Sequence, residues 1–348
     1  MMAGALRELT ADVCAPGMLR ALFDGHDGAG EERWQRLAEL GLFAVLAPAG
    51  SGGLGLGDTD FVLLAEEAGR AALPEPLTEQ AALAVPALAE LAAQAAAAAL
   101  LPQLASGAAR IALAHPQNPL SHAPPRLTHW LLCTPERIAL AEAGEVPSRA
   151  HASVDAGRRL LEASPGRDVG TTLASGAAAA AVCERILNRG SVYSAAQCLG
   201  LAERMLALSA DYAKERAQFG KPIGAYQAVK HHLASAAVKL EFARPVVYAA
   251  ATRVAELDAR AQAAASHAKL AAGDAADVAA RKAIQVHGAM GYSWELDLHF
   301  FMKRAWALAG AWGDRSFHAR RVQALVCGDA LALGPDQTFA TSRQRNHR

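Results

Sequence analysis

Residues Glu215–Lys230 read ERAQFGKPIGAYQAVK, and this stretch marks a junction between two long helices. The first helix is predicted to end within Tyr212–Arg216, and a turn follows at Gln218–Gly224, where two glycines and a proline disfavour helix. A second helix is predicted to begin at Ala225–Gln227. The junction therefore interrupts a helical region with a short turn rich in functional side chains.

Several side chains of this turn have chemistry suited to a nucleotide. Arg216 offers a planar guanidinium that can grip a pyrophosphate in a bidentate manner. Phe219 offers a flat apolar surface, and Gln218 and Gln227 offer amides to the polar edge of a ring. Backbone N–H groups at the start of the new helix could add to an anion site. On residue chemistry alone, a nucleotide-binding turn and a solvated turn both remain open.

Long amphipathic segments lie on both sides of the junction. Apolar residues recur at three- and four-residue steps in Leu187–Gln218, Gly224–Leu257, Arg260–His287 and Leu298–Gly310. Helices of this length with few internal breakers predict an antiparallel bundle.

The earlier part of the chain divides into two further regions. Residues 1–105 show helical periodicity, and the glycine-rich Gly52–Gly57 is interpreted as an inter-helix turn because it lacks the spacing of a dinucleotide loop. Short apolar runs between turn signals predict strands at Ile111–Ala114, Trp130–Cys133, Arg137–Glu142 and Ala150–Val154. The expected domains are 1–105 (helical), 106–180 (small β unit), 181–335 (helical bundle) and 336–348 (polar tail).

Composition narrows the function classes. The 348 residues contain 34 Lys plus Arg and 34 Asp plus Glu, so no basic excess points to nucleic acid. The five cysteines are scattered and form no zinc-spaced cluster, so neither a metal site nor a disulfide framework is predicted. No stretch has the length and apolar character of a membrane span, and a cytoplasmic location is expected.

Two ordered motifs carry a family resemblance. The run RAQFGKPIGAYQAVKH at Arg216–His231 and the run QVHGAMGYSWELDLHFFMKRA at Gln285–Ala305 resemble the C-terminal domain of acyl-CoA dehydrogenases. Residues 31–77 also resemble the opening helical domain of that family. The resemblance implies a mainly α fold with an N-terminal helical domain, a reduced middle β-barrel and a C-terminal four-helix bundle.

The resemblance also implies FAD as cofactor and an acyl-CoA thioester as substrate. By that resemblance Arg216, Gln218 and Phe219 would reach the FAD of a neighbouring subunit, and electron-transfer flavoprotein would receive the electrons. The segment matching the nucleotide half of the site contains an alanine where a second glycine is usual. Its residues are Gln285, His287, Gly288 and Ala289.

The expected catalytic base is missing. In the family, a glutamate removes the α-proton of the substrate from one of two positions, and gap-free alignment places Trp312 and Gly190 there. Neither residue can accept a proton. Asp314 is the alternative carboxylate, although a helix N-cap before Arg315–Leu325 explains it as well.

The middle region departs from the family as well. Arg110–His122 (RIALAHPQNPLSH) replaces the strand and Gly-Ser loop that hold the flavin ring, and His129–Cys133 (HWLLC) replaces a Trp-Phe segment.

These departures favour the shorter, base-lacking subunit of a heteromeric, steroid-type acyl-CoA dehydrogenase, paired with a paralogous subunit in a heterotetramer. Two alternatives remain: a self-sufficient, self-associating enzyme with a displaced base, and a non-catalytic assembly scaffold.

Overall fold

A computed structural model describes residues 2–26, 28–256 and 260–328 of the chain. The polar tail expected at 336–348 lies outside the described residues, as does the end of the expected bundle domain at 335.

The first part of the chain is helical, as its periodicity predicts. Trp34 is fully buried, and its indole N–H donates to the Gly107 carbonyl at 2.9 Å, which joins the helices to the start of the middle region. A π-helical segment at Thr78–Ala84 precedes the fifth helix. The helices are α1 (Met2–Val13), α2 (Pro16–Phe23), α3 (Gly30–Glu39), α4 (Asp58–Arg70), α5 (Val85–Glu90) and α6 (Ala95–Ala105).

The middle region forms two small sheets. The strands are β1 (Ile111–Ala114), β2 (Leu120–His122), β3 (His129–Cys133), β4 (Arg137–Glu142), β5 (Ser148–His151), β6 (Leu160–Ala163) and β7 (Thr171–Ser175). One sheet has the order β1-β3-β4-β7, with β1 and β3 parallel, and the other has the order β2-β6-β5. A separate apolar cluster that includes Trp130, Leu132 and Leu161 packs between strands of the two sheets.

The last part of the described chain is a helical bundle. Its helices are α7 (Gly176–Glu215), α8 (Gln227–Ala255), α9 (Ala261–His287), α10 (Leu298–Gly310) and α11 (Arg315–Cys327). Helix α9 contacts all four of the others. Its buried face is mostly alanine, including Ala268, Ala272, Ala276 and Ala280, so neighbouring helices can approach closely.

Helix α4 crosses the bundle at a glycine contact. A Cβ placed on Gly200 would lie 1.9 Å from the Glu66 carbonyl oxygen, and one on Gly69 would lie 2.1 Å from the Gln197 carbonyl oxygen. The two backbones touch here because neither glycine carries a side chain. Beside this crossing, Arg189 of α7 donates to both carboxylate oxygens of the buried Asp58, at 2.9 and 3.2 Å.

The sequence predictions of fold class, of the bundle and of most element bounds are confirmed. Leu298–Gly310 and Arg137–Glu142 match their elements at both ends. The strand expected at Ala150–Val154 is shifted, because the pairing strand is Ser148–His151. The first bundle helix was expected from Leu187, and this bound is wrong because α7 already begins at Gly176.

Candidate functional site

The junction at Glu215–Lys230 forms a β-hairpin between α7 and α8. Helix α7 ends at Glu215, after which two-residue strands β8 (Ala217–Gln218) and β9 (Lys221–Pro222) pair antiparallel. The connecting residues Phe219 and Gly220 have φ values of 52° and 80°, the signature of a type I′ turn. Helix α8 then begins at Gln227, as the sequence predicts.

This hairpin presents its functional side chains to solvent. Phe219 at the tip is 91% exposed, and Arg216, Gln218 and Gln227 are exposed as well. Arg216 forms no side-chain hydrogen bond or ion pair with any residue that the structure describes. The Tyr226 hydroxyl donates to the Gln218 carbonyl at 3.2 Å and braces the hairpin against the start of α8. The hairpin therefore holds the ring of Phe219 and the guanidinium of Arg216 at the surface of the protein.

The second motif lies at the same end of the bundle. The ring of His287, the last residue of α9, stacks on Tyr212 of α7 with centroids 4.4 Å apart. Its Nδ1 donates to the Ala283 carbonyl at 2.8 Å, and burial lowers the pKa of this histidine. Gln285, Gly288 and Ala289 are exposed around this buried ring.

Gly288 adopts a backbone conformation that favours glycine. Its φ of 60° and ψ of −135° end α9 and turn the chain into the 3-10 segment Gly288–Tyr292. Ala289 follows within that segment, so its side chain lies where the sequence comparison expected a glycine.

The two positions expected to hold a base lie against each other. Trp312 is only 2% exposed, and its indole covers Gly190 so closely that a Cβ on Gly190 would lie 2.4 Å from Cδ2. The tryptophan ring thus fills the space beside α7 that a side chain at position 190 would need. Gap-free alignment identified both residues, and the structure brings them into contact across 122 positions of sequence.

Hydrogen bonds fix the unusual backbone of Trp312. Its φ is +57°, a left-handed value uncommon for a bulky residue. Its N–H donates to Asn118 Oδ1 at 3.1 Å, and its carbonyl accepts from Ser191 Oγ at 3.3 Å and from His318 Nε2 at 3.0 Å. Desolvation lowers the pKa of the buried His318 to about 4, so this histidine is neutral at pH 7.

The turn between β1 and β2, which lies within Arg110–His122, contributes directly to this cluster. His115 lies with its ring centroid 5.6 Å from that of Trp312, and its Nδ1 accepts from the Gln117 N–H at 3.1 Å. The other ring nitrogen therefore carries the proton and donates to the Cys183 carbonyl at 3.2 Å. Burial lowers the pKa of His115 to about 4.

A small cavity lies beside this cluster. It has a volume of about 420 Å³, and its lining includes His115, Cys183, Leu187, Phe317 and Arg321. Sequence reasoning assigned no contact with Trp312 to the residues that hydrogen-bond its backbone, which are Asn118, Ser191 and His318. A histidine or asparagine in an apolar segment gives no sign of a partner almost two hundred residues away.

The alternative carboxylates have other partners. Asp314 Oδ1 accepts from the Phe317 N–H at 2.7 Å and caps α11, which confirms the N-cap interpretation. Asp297 accepts two bonds from Arg20, at 2.7 and 2.9 Å. Asp314 is also exposed to solvent, whereas a base for this step needs a pocket that excludes water.

Neither a metal site nor a membrane-spanning helix is found in the described part of the chain. No group of three or more His, Cys, Asp or Glu residues in it could hold a metal ion. None of its helices combines the length and apolar character needed to cross a bilayer.

Comparison with known proteins gives consistent matches. Residues 1–108 match the family model for the acyl-CoA dehydrogenase N-terminal domain, and residues 180–325 match that for the C-terminal domain. The acyl-CoA dehydrogenase IpdE2 of Mycobacterium tuberculosis is 32% identical over 319 residues, which cover 88% of this chain and 90% of that protein.

Solved structures share the fold. The Tcur3481-Tcur3483 steroid ACAD variant is 25% identical with a TM-score of 0.81, covering 94% of this chain and 96% of that one. The ChsE4-ChsE5 complex of Mycobacterium tuberculosis is 24% identical with a TM-score of 0.78 and the same coverage, a likeness of fold.

Proposed function

This chain belongs to the acyl-CoA dehydrogenase family, and from that membership we propose that it serves acyl-CoA α,β-dehydrogenation as the base-lacking subunit of a heteromeric enzyme. FAD is the cofactor that membership indicates, and when bound it accepts the hydride that leaves the β-carbon. The α-proton must leave at the same time, and this step needs a carboxylate in a dry pocket.

The contact between Trp312 and Gly190 carries the proposal. An indole has no basic nitrogen lone pair and glycine has no side chain, so neither residue removes a proton. Trp312 is buried, and its backbone is held by hydrogen bonds with Asn118, Ser191 and His318. A backbone movement that would open the position therefore costs several hydrogen bonds. The base is therefore supplied by another chain.

The hairpin fits a role across a subunit interface. Arg216 and Gln218 offer donors to a pyrophosphate and a ring edge, and Phe219 offers an apolar surface that this chain leaves exposed. Five further residues lie around the same end of the bundle: Gln227, Gln285, His287, Gly288 and Ala289. These residues suit a flavin nucleotide held mainly by a partner, and we assign them to that contact.

An exposed apolar face supports association. Val238 is 55% exposed and Phe242 is 75% exposed, one helical turn apart on α8. The solved relatives Tcur3481-Tcur3483 and ChsE4-ChsE5 carry the names of chain pairs, and the first is called a steroid ACAD. We therefore extend the proposal to a paralogous partner and to bulky, steroid-like acyl groups.

The test compares the chain alone with the chain co-expressed with a full-length paralogue that has the base. Flavin absorbance, oligomeric state and oxidation of short, branched and steroidal CoA thioesters are measured for each preparation. The proposal expects flavin and activity in the complex only. Activity of the chain alone would favour a displaced base, and absence of flavin in every combination would favour a scaffold.

Substitution of Arg216 tests the cross-interface assignment. Arg216→Ala removes a charge-assisted contact to phosphate, so flavin occupancy of the complex should fall about tenfold at limiting FAD. Arg320→Ala, which removes an exposed arginine on α11, is the matched control and should leave occupancy unchanged. Equal occupancy in both variants, with the complex intact by size-exclusion chromatography, would contradict the assignment.

A further inference from the structure

A narrow cleft lies where α1, α2, α4, α7 and α10 meet. Its volume is about 240 Å³. Arg70 of α4 and Arg204 of α7 line it, and Leu19 and Phe301 supply apolar wall. None of the residues assigned above to flavin contact or to the position of the base belongs to this lining.

Other charges in the lining cancel in pairs. Arg7 Nε donates to Glu67 Oε2 at 2.9 Å, and a second, shorter bond joins the same two side chains. Asp297 accepts from Arg20, whose Nη2 lies 2.7 Å from Oδ1. These two pairs therefore contribute little net charge to the cleft.

Arg204 is a cation without a counter-ion at bonding distance. It is half-buried and forms no hydrogen bond or ion pair with any residue that the structure describes. Its guanidinium carbon lies 5.6 Å from the centre of the Phe301 ring. Burial, and then repulsion from Arg70, lower the pKa of Arg204, as expected for two cations that face one space.

The positive charge of Arg70 is only weakly balanced by a nearby carboxylate. Its Nε is buried and makes no hydrogen bond, and Glu203 Oε1 lies 3.4 Å from it. The other oxygen of Glu203 lies 3.2 Å from Arg244, which is also paired with Glu66. One carboxylate that is already engaged thus faces Arg70. Asp297 and Asp211 raise the pKa of Arg204 from a longer range, but no described carboxylate lies at bonding distance from it.

We propose that this cleft binds a small organic oxyanion, a carboxylate with a short apolar group. Its oxygens accept from the guanidiniums of Arg70 and Arg204, and its apolar part packs on Phe301 and Leu19. Guanidinium groups suit carboxylate and phosphate geometry, so inorganic phosphate shares the head-group chemistry. The volume is below the range typical of drug-sized ligands, so nucleotides and intact CoA thioesters do not fit.

The test is isothermal titration calorimetry of the full chain at constant ionic strength with sodium butyrate and, separately, sodium phosphate. Butyrate is expected to bind, because it satisfies both the guanidiniums and the apolar wall, and phosphate is expected to bind more weakly. Arg204→Gln should weaken butyrate binding about tenfold or more. Arg70→Gln should also weaken butyrate binding. Agreement between the two variants would show that the loss is not due to misfolding of one of them.

Arg320→Gln is the matched control, since it removes one exposed arginine on α11 and should leave binding unchanged. Thermal unfolding adds an independent readout, because a ligand of the folded state raises Tm in wild type but not in Arg204→Gln. Binding of phosphate with no preference for butyrate would overturn the apolar half of the proposal. Absence of binding by both anions, or equal binding by wild type and both cleft variants, would overturn the site itself.

Discussion

At the scale of single residues, Trp312 and Gly190 behave as one unit. The indole occupies the space that any side chain at position 190 would enter, and the backbone of Trp312 is fixed in the left-handed region by neighbours from three segments. The closed space beside α7 is thus one structural feature made by two residues.

A double-mutant cycle tests this coupling. Gly190→Ala places a Cβ 2.4 Å from the ring, which should cost about 1–3 kcal/mol of unfolding free energy through overpacking. In a Trp312→Leu background the same substitution should cost about 1 kcal/mol less, because the smaller side chain can move aside. Urea unfolding of the four proteins supplies the free energies. An equal cost in the two backgrounds would mean that the contact is not what excludes a side chain at position 190.

At the scale of elements, the crossing of α4 and α7 depends on glycine. Gly200 of α7 approaches the Glu66 carbonyl so closely that Gly200→Ala must push the helices apart. We expect a loss of at least about 2 kcal/mol of unfolding free energy, measured by chemical denaturation.

Gly273 of α9 provides the contrasting control. Among the residues that the structure describes, none outside its own helix lies within 4 Å of a Cβ placed there. Gly273→Ala should therefore stabilise the protein by about 0.5–1 kcal/mol through helix propensity. Similar effects of the two substitutions would contradict the close approach at Gly200.

The helices and strands also show which parts of the fold could be predicted from the sequence. Residues Leu298–Gly310 were placed correctly because their apolar positions follow helical spacing and glycine ends them. The start of α7 was missed because Gly176–Ala181 is nearly all alanine, which gives no amphipathic pattern. Strand β7 (Thr171–Ser175) was missed because it is short and mostly exposed.

For the candidate site too, the sequence indicates local motifs but not the contacts between distant segments. The motif residues, such as Arg216 and Phe219, could be identified because they follow one another along the chain, and their contact with flavin stays a prediction. The hydrogen bonds that join Trp312 to Asn118 and Ser191 could not be predicted, because they depend on packing between segments 194 and 121 residues apart.

At the scale of the whole molecule, buried histidines should make the fold acid-sensitive. Desolvation lowers the pKa values of His115, His299 and His318 to about 4 each, below the ordinary value of 6.5 that applies in the unfolded chain. The unfolded chain therefore binds protons first as the pH falls. The stability contributed by neutral histidines is complete above pH 6.5 and is lost between pH 6.5 and about 4.

Denaturation at several pH values checks this expectation. In that window each such histidine contributes a slope of about 1.4 kcal/mol per pH unit. His318→Asn should flatten the curve by about that slope, while His231→Asn, on the exposed surface of α8, should not. An unchanged slope in His318→Asn would show that His318 does not titrate as its burial requires.

The hairpin that carries Phe219 has a kinetic consequence. Its turn, its strand pairing and its brace from Tyr226 are complete within one chain, so little backbone has to become ordered when a partner arrives. Encounter between subunits should then proceed at rates typical of rigid-body docking rather than of coupled folding and binding. In the proposed complex, burial of the Phe219 ring would therefore act mainly on the dissociation rate, which sets how long the two chains stay together.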